Sequence, residues 1–209
     1  MQRFLLSISY FGPVSYYSLL SLPGQFILEG HEHYTRQSWR NRCRIMGANG
    51  PLDLIVPVVK GHSTRQPLQS VRIDNRIPWQ KRHNKTIEAA YSKAPFYEFY
   101  IDEFSVFWQN EYHSLFDLDI AITKRIMEVI GISSEIKISD RFYPTGLPDV
   151  NDYRNLIHPK SPTPHSMFHP HPYVQVFEDR IPFTPDLSIL DLIFCTGPDT
   201  LAYLQKCHN

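Results

Sequence analysis

The sequence predicts an α/β fold with a mixed, partly parallel sheet from its N-terminal half, a helical middle section and a C-terminal segment that completes the core. The first thirty residues contain a strand-like segment, a turn, a short helical segment and a second strand-like segment, an order typical of a βαβ unit. From about residue 78 onward, apolar residues at helical spacing replace the strand pattern. The 209 residues suffice for one sizeable core. We therefore expect a single domain with a sheet-rich basic part (1–77), a helical part (78–132) and a loop-rich closing part (133–209).

The first elements are separated by clear breaks. Residues 4–10 read as a strand and are followed by a Gly-Pro pair. Residues 14–22 carry apolar side chains at helical spacing and stop at a Pro-Gly pair, after which residues 26–29 resume as a strand. This order predicts two parallel strands joined by a helix.

A β-hairpin is predicted next, from residues 44–47 and 52–59, with the turn at Ala48-Asn49-Gly50. Asn-Gly suits a tight hairpin turn because both residues tolerate positive φ angles. Pro57 places the end of the second strand nearby or puts that strand at an edge. A polar loop and a short strand at residues 68–73 are expected to follow.

The middle of the chain predicts three helices. Residues 79–93 begin after Pro78, and the aromatic-rich residues 96–109 form the second helix. The clearest amphipathic pattern covers residues 115–130 and is followed by Gly131.

The last third is predicted to be mostly loop. Residues 137–139 read as a strand, and residues 146–172 are dense in Pro and His, so we expect a long loop there. Residues 173–177 read as another strand, and a closing helix is predicted over residues 199–205.

Composition narrows the class of protein. No apolar segment is long enough to span a membrane, and residues 1–10 alternate like a strand rather than an export signal. The three cysteines are an odd number without CxxC spacing, which favours free thiols. We therefore expect a cytoplasmic protein.

Positive charge is concentrated between residues 36 and 85, a segment that contains eleven Arg and Lys residues but only two Asp residues and no Glu. The planar guanidinium group of arginine suits phosphate or carboxylate, so this basic segment favours an anionic small-molecule ligand. Because the other segments hold ten cations and nineteen acids, a solvated face neutralised within the protein is an equally open interpretation. The net charge of zero and the missing binding motif argue against nucleic acid as a partner.

The candidate ligand site lies at the start of this basic segment. We expect Arg42, Arg44 and Lys60 to hold the anion, Trp39 to stack against the ligand and Asn41 to orient polar groups. In the predicted helix that follows, His83 is the candidate catalytic acid or base, with a structural histidine as the alternative.

The sequence offers two further kinds of candidate site. A metal site could be formed by histidines that share a strand face or lie in the Pro-rich segment. The candidate ligands are His31, His33, His165, His169 and His171. Because no Cys pair or regular carboxylate spacing accompanies them, we predict no metal site. Cys43 lies among arginines that would lower the pKa of its thiol, yet nothing places a base beside it. No Gly-rich phosphate loop or other cofactor motif is present, so no cofactor is identified.

Four blocks of the sequence resemble the WbqC-like family of bacterial proteins. They are SISYFGPVSYYSLL, FILEGHEHYTRQSWRNRCRI, WQKRHNKTIEAAYSKAPFYE and YVQVFEDRIPFTPDLSILDLIFCTGP, and together they span most of the chain. The positions that match the family pattern include every proposed ligand-binding and catalytic residue except Lys60. The matching residues are Trp39, Asn41, Arg42, Arg44, Pro57, Val58, His83, Lys93, Asp191, Gly197 and Pro198.

The resemblance implies a cytoplasmic bacterial protein associated with surface-polysaccharide (O-antigen type) gene clusters. It leads to the hypothesis of a transferase that modifies a sugar or nucleotide-sugar. The alternative is a non-catalytic anion-binding or scaffold protein of the same pathway. The sequence departs from the family pattern where Gly30-His31 replace two Asp residues, Ser15 replaces Gly and Cys195 replaces Asn. If those positions perform chemistry, we expect a changed ligand or an inactive member.

Overall fold

A four-stranded parallel sheet forms one layer of the computed structural model, which describes residues 2–59, 65–161 and 165–208. The strands lie in the order β5-β2-β1-β6, with all three pairings parallel. They are β1 (Arg3–Ser7), β2 (Gln25–Glu29), β5 (Glu135–Ile138) and β6 (Asn151–Asp152). The central pair is apolar and buried along most of its length, as parallel strands covered on both faces require.

Helix α1 (Val14–Leu20) connects β1 to β2, so the chain begins as predicted with a βαβ unit. All seven residues of α1 are buried. This helix therefore lies inside the fold, and its polar side chains face the interior.

An antiparallel hairpin forms a separate two-stranded sheet from β3 (Arg42–Gly47) and β4 (Gly50–Ile55). A short 3-10 turn, Trp39–Asn41, leads directly into β3. Gly50 has a φ of +113°, a conformation that favours glycine after the two-residue turn. The pairing places Arg44 directly opposite Asp53.

Three helices follow: α2 (Trp79–Tyr91), α3 (Tyr97–Gln109) and α4 (Leu115–Ile130). Helix α4 begins where the Ser114 hydroxyl accepts a hydrogen bond from the Asp117 N–H and ends at Gly131, whose φ is +77°. The predicted bounds of α4 are confirmed. They could be predicted because the capping residues and the amphipathic pattern mark both ends of the helix.

The C-terminal segment closes the core with α5 (Ile189–Thr196), a 3-10 turn and α6 (Thr200–Lys206). One hydrophobic cluster contains residues from Phe4 to Cys207 and includes side chains of the sheet, the middle helices and the closing helices. In the described part of the chain, every helix is too short or too polar to cross a lipid bilayer.

The α/β class is confirmed, and three details differ from prediction. The main sheet is wholly parallel and takes β5 and β6 from the C-terminal half. Residues 68–73 form the 3-10 turn Leu68–Ser70 and isolated bridges. Residues 173–177, which the structure describes, form no strand, because their backbone pairs with no neighbouring strand; Tyr173 and Gln175 instead bond through their side chains to Asp191.

Candidate functional site

The candidate site lies at the carboxyl end of the parallel sheet. Ser7 and Glu29 end the two central strands in register, and Tyr153 and Arg154 follow β6 at the same edge. Ligands of open α/β sheets bind in crevices outside the carboxyl ends of the strands. We therefore expect a ligand-binding site near this edge of the sheet.

Two buried ion-pair groups stabilise this edge. Arg40 donates hydrogen bonds of 2.8 and 2.5 Å to the two carboxylate oxygens of Glu32, and a further one of 2.7 Å to the Ser7 hydroxyl. Arg154 binds Asp152 at 2.5 Å and Glu29 at 3.2 Å. Because paired buried charges hold each other in one geometry, these arginines are structural elements of the edge.

A small recess opens between these two groups. Its lining includes Ser7, Ser9, Tyr16, Trp39 and Arg40. Its volume of about 10 Å³ is enough for roughly one water molecule.

A much larger cavity of about 920 Å³ lies on the other side of Trp39, which lines both spaces. The hairpin contributes Arg44 and Asp53, and the Pro- and His-rich segment contributes side chains that include His165. Asp186 lines the cavity as well. Its size is within the range of small-molecule sites.

The hairpin side of the cavity carries a shared ion pair. Arg44 donates through Nε to Asp53 at 2.8 Å, and its guanidinium carbon lies 5.5 Å from the centre of the Trp39 ring. Arg42 reaches the same carboxylate at 3.2 Å. Two arginines therefore face one acid, which leaves a net charge of about +1 if all three are ionised.

Asp186 and His165 are held by the backbone of one residue, Ser15. The Ser15 N–H donates to Asp186 Oδ1 at 2.7 Å, and His165 Nε2 lies 3.3 Å from the Ser15 carbonyl oxygen. A carbonyl only accepts, so Nε2 carries the proton and Nδ1 is left as an acceptor. Nδ1 is buried and has no hydrogen-bond partner in the described residues.

Burial shifts the pKa of both side chains. Burial raises the pKa of Asp186 to about 7, against hydrogen bonding from Ser15 and the charge of Arg44. Burial lowers the pKa of His165 to about 4, so its ring is neutral at pH 7. Asp186 also has a φ of +58°, a left-handed conformation that is uncommon outside glycine and is often found at functional sites.

Comparison with known proteins assigns the family. The sequence profile of the WbqC-like protein family matches residues 9–153, more than half of the chain. The chain belongs to this family. It is also similar to the protein named Uncharacterized protein Rv1507c of Mycobacterium tuberculosis, with 29% identity over 220 residues and 93% coverage of each chain. No solved structure matches the chain.

The WbqC-like segment contains one side of the large cavity. Trp39, Arg44 and Asp53 lie within it, whereas His165 and Asp186 come from residues beyond the matched range. The cavity of this WbqC-like protein therefore combines family residues with the C-terminal part of the chain.

The predicted ligand-binding residues are only partly brought together. Trp39 and Arg44 line the cavity, and Arg42 shares the carboxylate of Asp53. Asn41 is buried and donates to the Val56 carbonyl at 2.9 Å, and its Oδ1 has no partner within the described residues. Lys60 lies outside the described residues.

His83 lies in the core and lines neither cavity in the described part of this WbqC-like chain. The Trp108 N–H donates to the Tyr10 hydroxyl at 2.9 Å, Tyr10 bonds His83 Nδ1 at 2.8 Å, and His83 Nε2 bonds the Ile55 carbonyl at 3.2 Å. Burial lowers the pKa of His83 to about 4. Its catalytic role stays a prediction, and its contacts are those of a structural histidine.

The remaining candidates are dispersed. His31 and His33 are exposed, and the described residues contain no group of three or more His, Cys, Asp or Glu side chains that could hold a metal ion. All three cysteines are free and buried, which confirms the thiol prediction. The expectation of a lowered pKa for Cys43 was wrong, because burial and the nearby charge of Asp53 raise the pKa of this thiol.

Sequence reasoning missed Asp53 and Asp186. Asp53 could have been predicted from the sequence, because a hairpin that turns at Asn49 pairs residue 44 with residue 53. Asp186 gave no local signal. Its environment is made by α1, which lies far away in the sequence.

Proposed function

We propose that this WbqC-like protein is a transferase that modifies a sugar or nucleotide-sugar, with the large cavity as its active site. The observation that carries the proposal is the composition of that cavity: an arginine for an anionic group and a carboxyl with a pKa of about 7 line the same space. The family resemblance supports a place in surface-polysaccharide biosynthesis.

Arg44 is the proposed anion contact. Asp53 occupies its Nε and Nη2, and Nη1 makes no hydrogen bond within the described residues, so one amino group is available to a phosphate oxygen. Trp39 is mostly buried and packs under the guanidinium, so we assign it the role of orienting Arg44 as well as bordering the ligand. Preorganised charge of this kind also stabilises an anionic leaving group.

Asp186 is the proposed general base. As a carboxylate it removes the proton from a hydroxyl of the acceptor, while the acceptor oxygen forms its new bond to the transferred group and the bond to the leaving group breaks. A pKa near the working pH maximises this exchange.

A binding protein without catalysis is the second candidate function. The specific observation that favours it is the position of His83, since the residue predicted to act as acid or base has both ring nitrogens occupied in the core. In that case Arg44 still binds an anion, but Asp186 has no substrate proton to accept.

A thermal-shift screen with nucleotide-sugars and sugar phosphates tests the binding part of the proposal. A ligand of the folded state raises the melting temperature, and Arg44→Gln is expected to abolish that rise. Arg76→Gln is the matched control, because Arg76 is exposed and pairs with Asp74. A shift that survives Arg44→Gln contradicts the assignment of Arg44.

Turnover then separates the two functions. With a ligand from the screen and a set of sugar acceptors, Asp186→Asn should lower the rate by about 10²–10⁴-fold while the thermal shift is retained. Asp179→Asn, at an exposed position, is the control. Binding without turnover in the wild-type protein would favour the binding protein, and full activity of Asp186→Asn would refute the proposed base.

A further inference from the structure

A group of polar side chains without partners lies inside the fold between α1 and α4. Asp119 is fully buried, and neither of its carboxylate oxygens has a hydrogen-bond partner in the described residues. The same is true of the hydroxyls of Tyr16, Tyr17 and Thr123. We call these four residues the Asp119 cluster.

Thr123 lies beside the other three side chains of the cluster. Asp119 and Thr123 are one turn apart on α4, so they lie on the same face of that helix. Both tyrosine hydroxyls approach Thr123 without making a hydrogen bond of ordinary geometry. Burial raises the pKa of each tyrosine, and the charge of Asp119 adds to that rise in both, together with the charge of Glu32 in the case of Tyr16.

These buried polar groups destabilise the folded protein if no ligand or water binds them. Each buried polar atom without a partner costs about 1–3 kcal/mol, and a buried charge costs more. Accordingly, burial holds the pKa of Asp119 well above its usual range. Arg40 is the cation that opposes this shift, but its guanidinium is already bonded to Glu32.

We propose that the Asp119 cluster is a binding site for a monovalent inorganic cation such as Na⁺ or K⁺. The donor set is one carboxylate and three hydroxyls, and oxygen-only ligands suit hard cations. One positive charge neutralises the ionised carboxylate, and a carboxyl that is still protonated releases its proton to solvent when the cation binds. The set contains no nitrogen or sulfur donor, which argues against a transition metal.

One residue of the cluster borders the small recess. Tyr16 lines the small recess at the carboxyl end of the sheet, and Trp39 separates that recess from the large cavity. The site does not depend on the proposed transferase activity, and either proposal can fail without the other.

Thermal denaturation in different chloride salts tests the cation site. The wild-type protein is measured in KCl, NaCl and choline chloride at equal ionic strength, since choline is too large for the cluster. The melting temperature should rise saturably with K⁺ or Na⁺, by roughly 5–10 °C at a hundredfold excess over Kd. Asp119→Asn should abolish the difference between salts.

Asp117→Asn is the matched control, because Asp117 lies on the same helix and is exposed. It should keep the full cation response. Equal melting temperatures in all three salts would overturn the proposal and leave ordered water in the cluster. A response that persists in Asp119→Asn would place the ion elsewhere.

A second variant covers the case in which Asp119→Asn does not fold. Tyr17→Phe removes one hydroxyl donor and retains the ring, so it should weaken the cation response at least several-fold in the salt titration. An unchanged midpoint in Tyr17→Phe would overturn the proposed donor set. Crystals grown with Rb⁺ provide a direct check, because its anomalous scattering should appear beside Asp119 and nowhere else in the α1–α4 interface.

Discussion

Asp186 accepts a hydrogen bond of 2.7 Å from the backbone N–H of Ser15, although 171 positions separate the two residues in the chain. The contact places a carboxyl from the C-terminal third against the first turn of α1. Burial raises the pKa of Asp186 to about 7, and the hydrogen bond from Ser15 opposes that rise. The relationship has a consequence for stability.

Asp186 should make the protein less stable as the pH rises from about 4 to about 7. Its pKa is raised to about 7 in the folded state, so the folded protein holds a proton that the unfolded chain has lost in that interval. The contribution is complete below the ordinary Asp pKa and disappears above pH 7. It is on the order of 1–3 kcal/mol, allowing for partial exposure of the side chain.

Urea denaturation of the wild type and Asp186→Asn across pH 4–8 measures this effect. The free energy of unfolding of the wild type should fall relative to that of the variant as the pH increases. Parallel profiles would show that the pKa of Asp186 is ordinary and would remove it as a candidate base.

His83→Ala should lower the free energy of unfolding by about 2–4 kcal/mol. The change removes a buried ring and leaves the Tyr10 hydroxyl and the Ile55 carbonyl without their partner. Urea denaturation measures the loss, with His113→Ala as an exposed control. A stable His83→Ala protein that loses turnover would instead restore His83 to the active site.

Asp53→Asn should raise the affinity for an anionic ligand such as UDP by about 2–10-fold at low salt. The substitution removes the negative charge shared by Arg42 and Arg44, and Arg44 keeps its position over Trp39. Isothermal titration calorimetry measures the affinity, and Asp74→Asn, which frees the exposed Arg76, is the control. A lower affinity would mean that Asp53 is needed to orient Arg44.

Asp191→Asn should destabilise the protein by about 2–4 kcal/mol. Asp191 accepts hydrogen bonds from Tyr91 at 2.8 Å, Tyr173 at 2.5 Å and Gln175 at 2.9 Å, and an amide cannot accept all three. The measurement is urea denaturation, with the exposed Asp199→Asn as the control. A loss below about 0.5 kcal/mol would show that the network reorganises around the amide.

Part of the site was predictable because it is local. The two-residue turn before Gly50 sets the register that brings Arg44 against Asp53, and Trp39 enters β3 through a short turn. The charge count was less informative. It included Arg40 and Arg44 alike, yet Arg40 is buried against Glu32 while Arg44 faces the cavity. A count of charges contains no information about which acid each arginine meets.

By itself, the sequence determined the βαβ opening, the hairpin and the three middle helices, because hydrophobic periodicity, turn residues and caps act between near neighbours in the chain. Only the tertiary structure decided that β5 and β6 complete the sheet, that His83 is enclosed in the core and that Asp186 meets Ser15. These outcomes depend on which distant surfaces pack together. Burial and the pKa shifts that follow from it are properties of that packing and leave no local pattern in the sequence.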